Sequence, residues 1–346
     1  MQNLFDAFEP ASKSDWNAFV ANDPRSAALL EKLDWQLGDL SMPAYATDED
    51  LLAPSETQVN WVLPESWCIA ACAPEDAPTT FYETALADGA DGFWMHALST
   101  TYPTNLPAKH LHLYGDACTG EAGLAYLNAL HETPAMISVV SDPATDEAFL
   151  KANMAQLIAH SPCRTITLPV SPALPDPVAS LVKTLQAIHT CIDIFKAGGY
   201  STDETLRTMA LVYQPSTSFY LELAMMRAMR LLISKLVAGT IGGDIDLPFM
   251  AYINTSDDPD QLLKQTTIAM GAVLGGCSTI CIVPGDTYAQ HLAQNTQLIL
   301  KHESHLHRVT DPAAGSYYVE MLSGKLANAA WNASNFAKPN GGQDHA

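Results

Sequence analysis

From Trp67 to Gly285 the chain repeats one device eight times: a short apolar run, then an amphipathic stretch or a turn. The runs are WCIAACA (67–73), GFWMHAL (92–98), HLHLYG (110–115), AMISVV (135–140), RTITLPV (164–170), MALVYQ (209–214), MAYINT (250–255) and TICIVPG (279–285). Near-continuous apolar runs mark strands buried on both faces, because a sheet with one wet face would alternate. Eight such strands separated by helices predict a closed parallel barrel, in which every strand has two neighbours and every helix a face to cover. The expected fold is an α/β TIM (β/α)8 barrel with its eighth strand near 279–285, closed by helices over 289–304 and 322–336.

Local signals agree with this reading. Ser201 stands three residues before Glu204, the spacing of a capping box. Asp258 and Pro259 suit the N-cap and first position of a helix, and Gly198 and Gly199 suit a helix end. Phe219, Leu223, Met226, Met229, Ile233 and Leu236 form one apolar stripe, which predicts a helix laid against a sheet with its methionines as core filler. The first sixty residues differ: SKSDWNAFVAND reads as a short helix capped by Ser12 or Ser14, and LDWQLGDLSMPAYATDEDL as a hairpin and a turn. The expected division is an N-terminal helix–hairpin arm over 1–62, the barrel over 63–338 and a tail over 339–346. Trp16, Phe19, Trp35 and Tyr45 are the arm's natural anchors, expected to meet a partner chain or to be loosely held without one.

Seventeen Lys+Arg stand against 38 Asp+Glu, a net charge of −21, which argues against nucleic acid and anionic membranes. From Leu33 to Cys163 the only cations are Lys109 and Lys151, so this half is poorly equipped for a phosphate-rich ligand. No apolar run is read as spanning a membrane, and the first residues lack the basic and apolar regions of a leader, so a cytoplasmic location is expected. Cys68/Cys72 and Cys277/Cys281 are each four apart in strand-like runs, where they are read as small hydrophobes on one face rather than as metal ligands. Nucleotide-binding glycine motifs and the Gly-x-Ser-x-Gly elbow are absent. His302, His305 and His307 crowd a helix end without a set of ligands to complete a metal site. Strand ends line the mouth of such a barrel, so a free-standing enzyme would build a small-molecule site there from His96, His112, Tyr114, Tyr252 and Asn254.

Three stretches resemble the barrel domain of the methylmalonyl-CoA mutase family: SFYLELAMMRAMRLLISKLV (218–237), DPDQLLKQTTIAMGAVLGGCSTI (258–280) and HLAQNTQLILKHESHLHRVTDPAAGSYYVEMLSGKLANAAW (291–331). The hairpin segment and AACAPEDAPTTFYETALADGADGFWMHA are similar to that family's first elements. The resemblance implies an adenosylcobalamin-dependent radical isomerisation of methylmalonyl-CoA and succinyl-CoA. The barrel would hold the acyl-CoA and a separate C-terminal domain the cobalamin. In its heterodimeric members a catalytic large subunit pairs with an inactive small subunit of the same fold.

Three departures from the family pattern point to the small subunit. The cobalamin motif Asp-x-His-x-x-Gly is missing; the nearest string, His112-x-x-Gly115, has His110 in place of the Asp. No cobalamin-binding domain is expected in this chain. Active members follow the fifth strand with a Tyr-His pair, whereas here TITLPVSPALPDPVASL carries Pro169, Pro172, Pro175 and Pro177. The Arg-Gly loop that threads CoA is represented by APSETQVNWVLPESW, with neither residue. The resemblance therefore implies a non-catalytic chain that binds no cofactor itself and stabilises the large subunit, which carries the adenosylcobalamin. In RVTDPAAGSYYVE, Asp311-Pro312 is expected to end the preceding helix, Gly315 to make a turn, and Tyr317, Tyr318 and Val319 to lead into a final helix that seals the barrel.

Overall fold

The computed structural model describes residues 11–334 and 336, apart from 24, 27–31, 33, 39, 52–63, 97–110, 115–117, 130–133, 135, 172–174, 239, 242–243, 255–259 and 286. The arm contributes helix α1 (Lys13–Ala21) and an antiparallel hairpin, β1 (Trp35–Leu37) and β2 (Leu40–Met42). The barrel strands are β3 (Cys68–Cys72), β4 (Gly92–Met95), β5 (Leu111–Leu113), β6 (Met136–Ile137), β7 (Ile166–Val170), β8 (Met209–Tyr213), β9 (Phe249–Asn254) and β10 (Thr279–Val283). Their order is β6-β5-β4-β3-β10-β9-β8-β7, with parallel pairing throughout. A parallel bridge from Val140 to Ile166 joins the two ends and closes the ring, helped by the bond from Thr167 N–H to Val140 O at 2.9 Å. All eight expected strands are present.

Each strand is buried on both faces for a visible reason. In β8, Met209, Leu211 and Tyr213 face the outer core under the helices, while Ala210 and Val212 face the barrel axis. The axis cluster is small: Ala70, Trp94, Met136, Ala210, Val212, Met250 and Cys281, with Cys72, Tyr114 and Tyr252 at its edge. Mostly small inward side chains leave room for one large one, and Trp94 takes it.

Around the strands lie α2 (Thr79–Ala87), α3 (Gly120–Ala129), α4 (Glu147–Ala159), α5 (Pro177–Ala197), α6 (Thr202–Arg207), α7 (Phe219–Leu236), α8 (Gln261–Leu274), α9 (Thr287–Leu298) and α10 (Tyr317–Ala333). Helix α5 begins with Pro177 behind an Asp176 cap and ends at Gly198, after which Gly199 takes φ +90°. It is long and apolar enough to cross a membrane by length and composition, contrary to the sequence reading. Leu181, Leu185, Ile188, Cys191 and Phe195 spend that apolar character in the outer core. The Ser201–Glu204 capping box forms at the start of α6. The α7 stripe is buried at Leu223, Met226, Met229 and Ile233 and packs at Phe219 and Leu236. Asp258 and Pro259 lie outside the described residues, and α8 begins at Gln261.

Three expectations about the last segment and the arm change. The helix before Asp311 ends at a π-turn, Ile299–Glu303, followed by His305 at φ +53°; Asp311-Pro312 sits in a later turn. Asp311 instead pairs with Arg227 of α7, whose guanidinium also lies 3.8 Å from Glu320. Gly315 does make the turn, at φ +81°, and its N–H donates to Glu320 at 2.8 Å. Helix α10 starts at Tyr317 itself and packs on α7 and α5; it braces the outer helices rather than capping the barrel. The hairpin docks on this brace: Leu40 and Met42 are buried, Trp35 Nε1–H donates to Tyr318 Oη, and Lys325 Nζ donates to Ser41 O at 2.9 Å. Trp35 is thus engaged within the chain. Trp16 and Tyr45 pack edge to face at 4.3 Å, while α1 buries no residue and Phe19 is 78% exposed.

Candidate functional site

The C-terminal ends of β3, β4, β5, β9 and β10 bring together most of the expected mouth residues and two that were not singled out. Trp94 is fully buried at the axis. Its ring stacks on His112 at 6.0 Å and on Tyr252 at 5.6 Å, with Tyr114 tilted against it at 5.8 Å. His96, directly after β4, lies edge-on to Tyr252, with Nε2 2.9 Å from Tyr252 Oη. His112 is buried below this layer with Nε2 3.8 Å from Cys68 Sγ. Asn254, at the end of β9, is exposed. The structure therefore joins His96, Tyr252 and Tyr114 around Trp94, and leaves His112 beneath and Asn254 outside.

Cys72 ends β3 and pairs in register with Trp94 on one side. On the other side Cys281 pairs with Ala70 and with Tyr252, so it shares the inward face with Cys72. A hydrogen bond from Cys281 pulls the Cys72 thiol down to about 6 against the opposing effect of burial, with a hydrogen bond and charge from His96 adding to the pull. His96 is held above its ordinary value by the bond to Cys72, by the charge of that sulfur, by the Tyr114 backbone and by Glu75. Burial and the neighbouring thiols drive Tyr252 upward. The arrangement is a cysteine–histidine pair at the rim of an apolar barrel axis, in which each group favours the charged form of the other.

The sequence reading put Cys277 and Cys281 on one face. They are not: Cys277 precedes β10 and touches Met226 in the outer core, while Cys281 faces the axis. What sequence analysis missed were Cys72 and Trp94. Period-two reading of GFWMHAL does place Trp94 and His96 on one face, which was the available signal.

Two expected features fall elsewhere. His302 and His305 are exposed, His305 and His307 are 6.3 Å apart by ring centroids, and no metal-binding group of His, Cys, Asp or Glu forms among the described residues. His110 and the 53–67 loop, apart from 64–67, lie outside them. Where described, the segments that follow the barrel strands carry Glu75, Asp76, Asp142, Asp146, Asp176 and Asp260 and no Lys or Arg.

The methylmalonyl-CoA mutase family profile matches residues 171–346, just over half of the chain. The chain belongs to that family. The matched region runs from the end of β7 to the C-terminus and includes the Arg227–Asp311 brace. Among curated relatives, a probable methylmalonyl-CoA mutase small subunit of Mycobacterium bovis is 32% identical over 47% of this chain and 29% of its own length. The small subunit of Streptomyces virginiae is 32% identical over 45% and 26%. The methylmalonyl-CoA mutase of Rhizobium meliloti is 33% identical over 39% and 21%. The matches thus span less than a third of each relative. Cys72, His96, His112 and Tyr114 lie before the segment matched by the family profile; Tyr252, Asn254 and Cys281 lie within it.

Proposed function

We propose that this chain is the barrel of a methylmalonyl-CoA mutase small subunit, cytoplasmic and non-catalytic in the mutase reaction, whose task is to bind and stabilise a catalytic large subunit. Identity does not separate the two kinds of relative, since small subunits and a mutase match equally well. The observation that carries the reading is the filled axis. A barrel that holds an acyl thioester needs room along its centre, and here Trp94 occupies it under a lid of Tyr114 and Tyr252. The acidic strand ends support the same reading, because the CoA phosphates call for cations.

Cobalamin fits these residues poorly. A cobalt ligand must be a neutral imidazole with a free lone pair. His96 is drawn toward its protonated form by Cys72 and engaged by Tyr252, and His112 is buried against Trp94. In the proposed complex the large subunit supplies the adenosylcobalamin.

The test mixes the purified chain with adenosylcobalamin and methylmalonyl-CoA, and follows the corrin spectrum and succinyl-CoA formation. No spectral change and no turnover are expected, together with a stoichiometric complex on titration with the large subunit by calorimetry. Turnover by the chain alone would replace this reading with the free-standing enzyme.

A further inference from the structure

A scaffold has no use for a cysteine–histidine pair, yet the barrel rim holds one. All seven cysteines are free thiols. Burial pushes Cys68, Cys118 and Cys277 up to about 12 and Cys163 to about 11, and drives Cys191 and Cys281 upward too. Cys72 alone moves down. Its surroundings explain why. It sits at the end of its strand, partly exposed and in register with Trp94, whose same-face neighbour two residues on is His96, with Cys281 on the same inward face of the neighbouring strand. His96 is itself fixed by Tyr252. A nucleophile, a proton partner and a group that orients the partner is the arrangement by which proteins activate a weak nucleophile.

We propose that Cys72, with His96 as its proton partner and Cys281 as thiol donor, is a nucleophilic site for small uncharged electrophiles, hydroperoxides first, and is converted by them to a sulfenic acid. In that step the Cys72 sulfur attacks one peroxide oxygen. The S–O bond to the terminal oxygen forms as the O–O bond breaks, and the departing hydroxide or alkoxide takes the proton of the His96 imidazolium and leaves as water or alcohol. The sulfur loses two electrons and the peroxide gains them. Uncharged reagents are favoured because Glu75 and Asp76 stand just after Cys72 and no Lys or Arg follows a strand among the described residues. The inference is independent of the scaffold reading: a chain inactive toward methylmalonyl-CoA can still carry it.

Magnitude decides how to look for it. At pH 7 a thiol at about 6 is roughly 90% ionised and one near 9 about 1%, but the more acidic thiolate is about 20-fold less nucleophilic, leaving a gain of only about fourfold. At pH 5.5 the ionised fractions differ about 760-fold, and the net advantage grows to about 40-fold.

The experiment treats the intact chain with limiting iodoacetamide from pH 5 to 9 and maps each cysteine by peptide mass spectrometry. Cys72 is expected to label about 40-fold faster than an unperturbed model thiol at pH 5.5, with a rate flat above about pH 7 and falling below pH 6. The groups facing it that can shift this profile are His96, Tyr252, Tyr114, Cys281, Cys68 and Glu75. In parallel, hydrogen peroxide with dimedone is expected to leave the adduct on Cys72; a Cys72–Cys281 disulfide reports the same sulfenic acid captured by its donor. His96→Asn should cut labelling at pH 5.5 by at least tenfold. The proposal is overturned if Cys72 labels no faster than the model thiol at pH 5.5, if its rate rises only above pH 8, or if folded His96→Asn labels like the wild type. Should the variant fail to fold, the wild-type profile decides alone.

Discussion

Trp94→Ala tests whether the barrel axis is filled as described. Trp94 is 0% exposed and contacts His112 and Tyr114 from β5 and its end, and Tyr252 from β9. Those neighbours are fixed by strand pairing, so they collapse little into the space left behind, and truncating a buried Trp in this way costs about 3–5 kcal/mol. One contribution runs the other way. The Trp94 indole N–H has no partner among the described residues, and an orphaned buried donor costs about 1–3 kcal/mol, which its removal returns. The net loss expected is about 2 kcal/mol, within a range of about 0–4 kcal/mol. Trp94→Phe keeps most of the ring and also discards the orphan donor, so it should fall within about 1 kcal/mol of the wild type. Urea unfolding measures both, as a shifted midpoint at unchanged slope. The Ala variant should also gain an apolar cavity that takes up indole; at ten times its dissociation constant indole would restore about 1.4 kcal/mol and leave the wild type unmoved. An equal response of both proteins to indole would mean that the axis is not filled by this side chain. The scaffold reading would then lose its main support.

Other parts of the chain give further tests. Asp311→Asn weakens the brace to Arg227; with the carboxylate side chain 38% exposed and the guanidinium 20%, the expected loss is about 1–2 kcal/mol, and a double-mutant cycle with Arg227→Met should show strong non-additivity. Gly315→Ala puts a Cβ on a residue at φ +81° that otherwise meets nothing within 4 Å, so calorimetry should show a fall in Tm worth about 1 kcal/mol and no more. Trp35→Phe and Tyr318→Phe each remove the same hydrogen bond and should equally hasten proteolytic cleavage of the hairpin; a large difference between them would show that the bond is not what holds it.

The barrel was legible because its evidence is additive. Eight runs, each ambiguous alone, all fell on strands, and the capping residues at Ser201 and Gly198 fixed helix ends through local hydrogen bonds that need no tertiary context. The last segment was less legible because its residues act at long range. Asp311 looks like a helix stop in sequence, but its carboxylate pairs with a guanidinium 84 positions away. The mouth was half legible for a related reason. Strand ends could be named, so His96 and Tyr252 were placed together, yet which cysteine is reactive depends on partners from three strands and not on spacing.

Cys68 and Cys72 make that dependence plain. They share one strand and one face, and each has an imidazole nearby: His112 for Cys68, His96 for Cys72. Burial pushes Cys68 up to about 12, with Asp91 adding to the rise, because its end of the strand lies at the barrel floor among carboxylate and apolar neighbours. Cys72 feels burial too, but Cys281 and His96 outweigh it. The aromatic layer of Trp94 and Tyr252 is common to both effects. By excluding water it penalises any charge beneath it, and it strengthens the few hydrogen bonds that reach a charge at its rim. The plug that leaves no room for an acyl thioester is thus also what keeps the Cys72–His96 pair dry. Trp94→Ala should therefore loosen both at once: with water admitted beside the rim, the iodoacetamide profile of Cys72 should drift from about 6 toward that of an ordinary thiol, while Trp94→Phe leaves it in place. A profile unchanged in the Ala variant would show that the thiolate owes nothing to the plug.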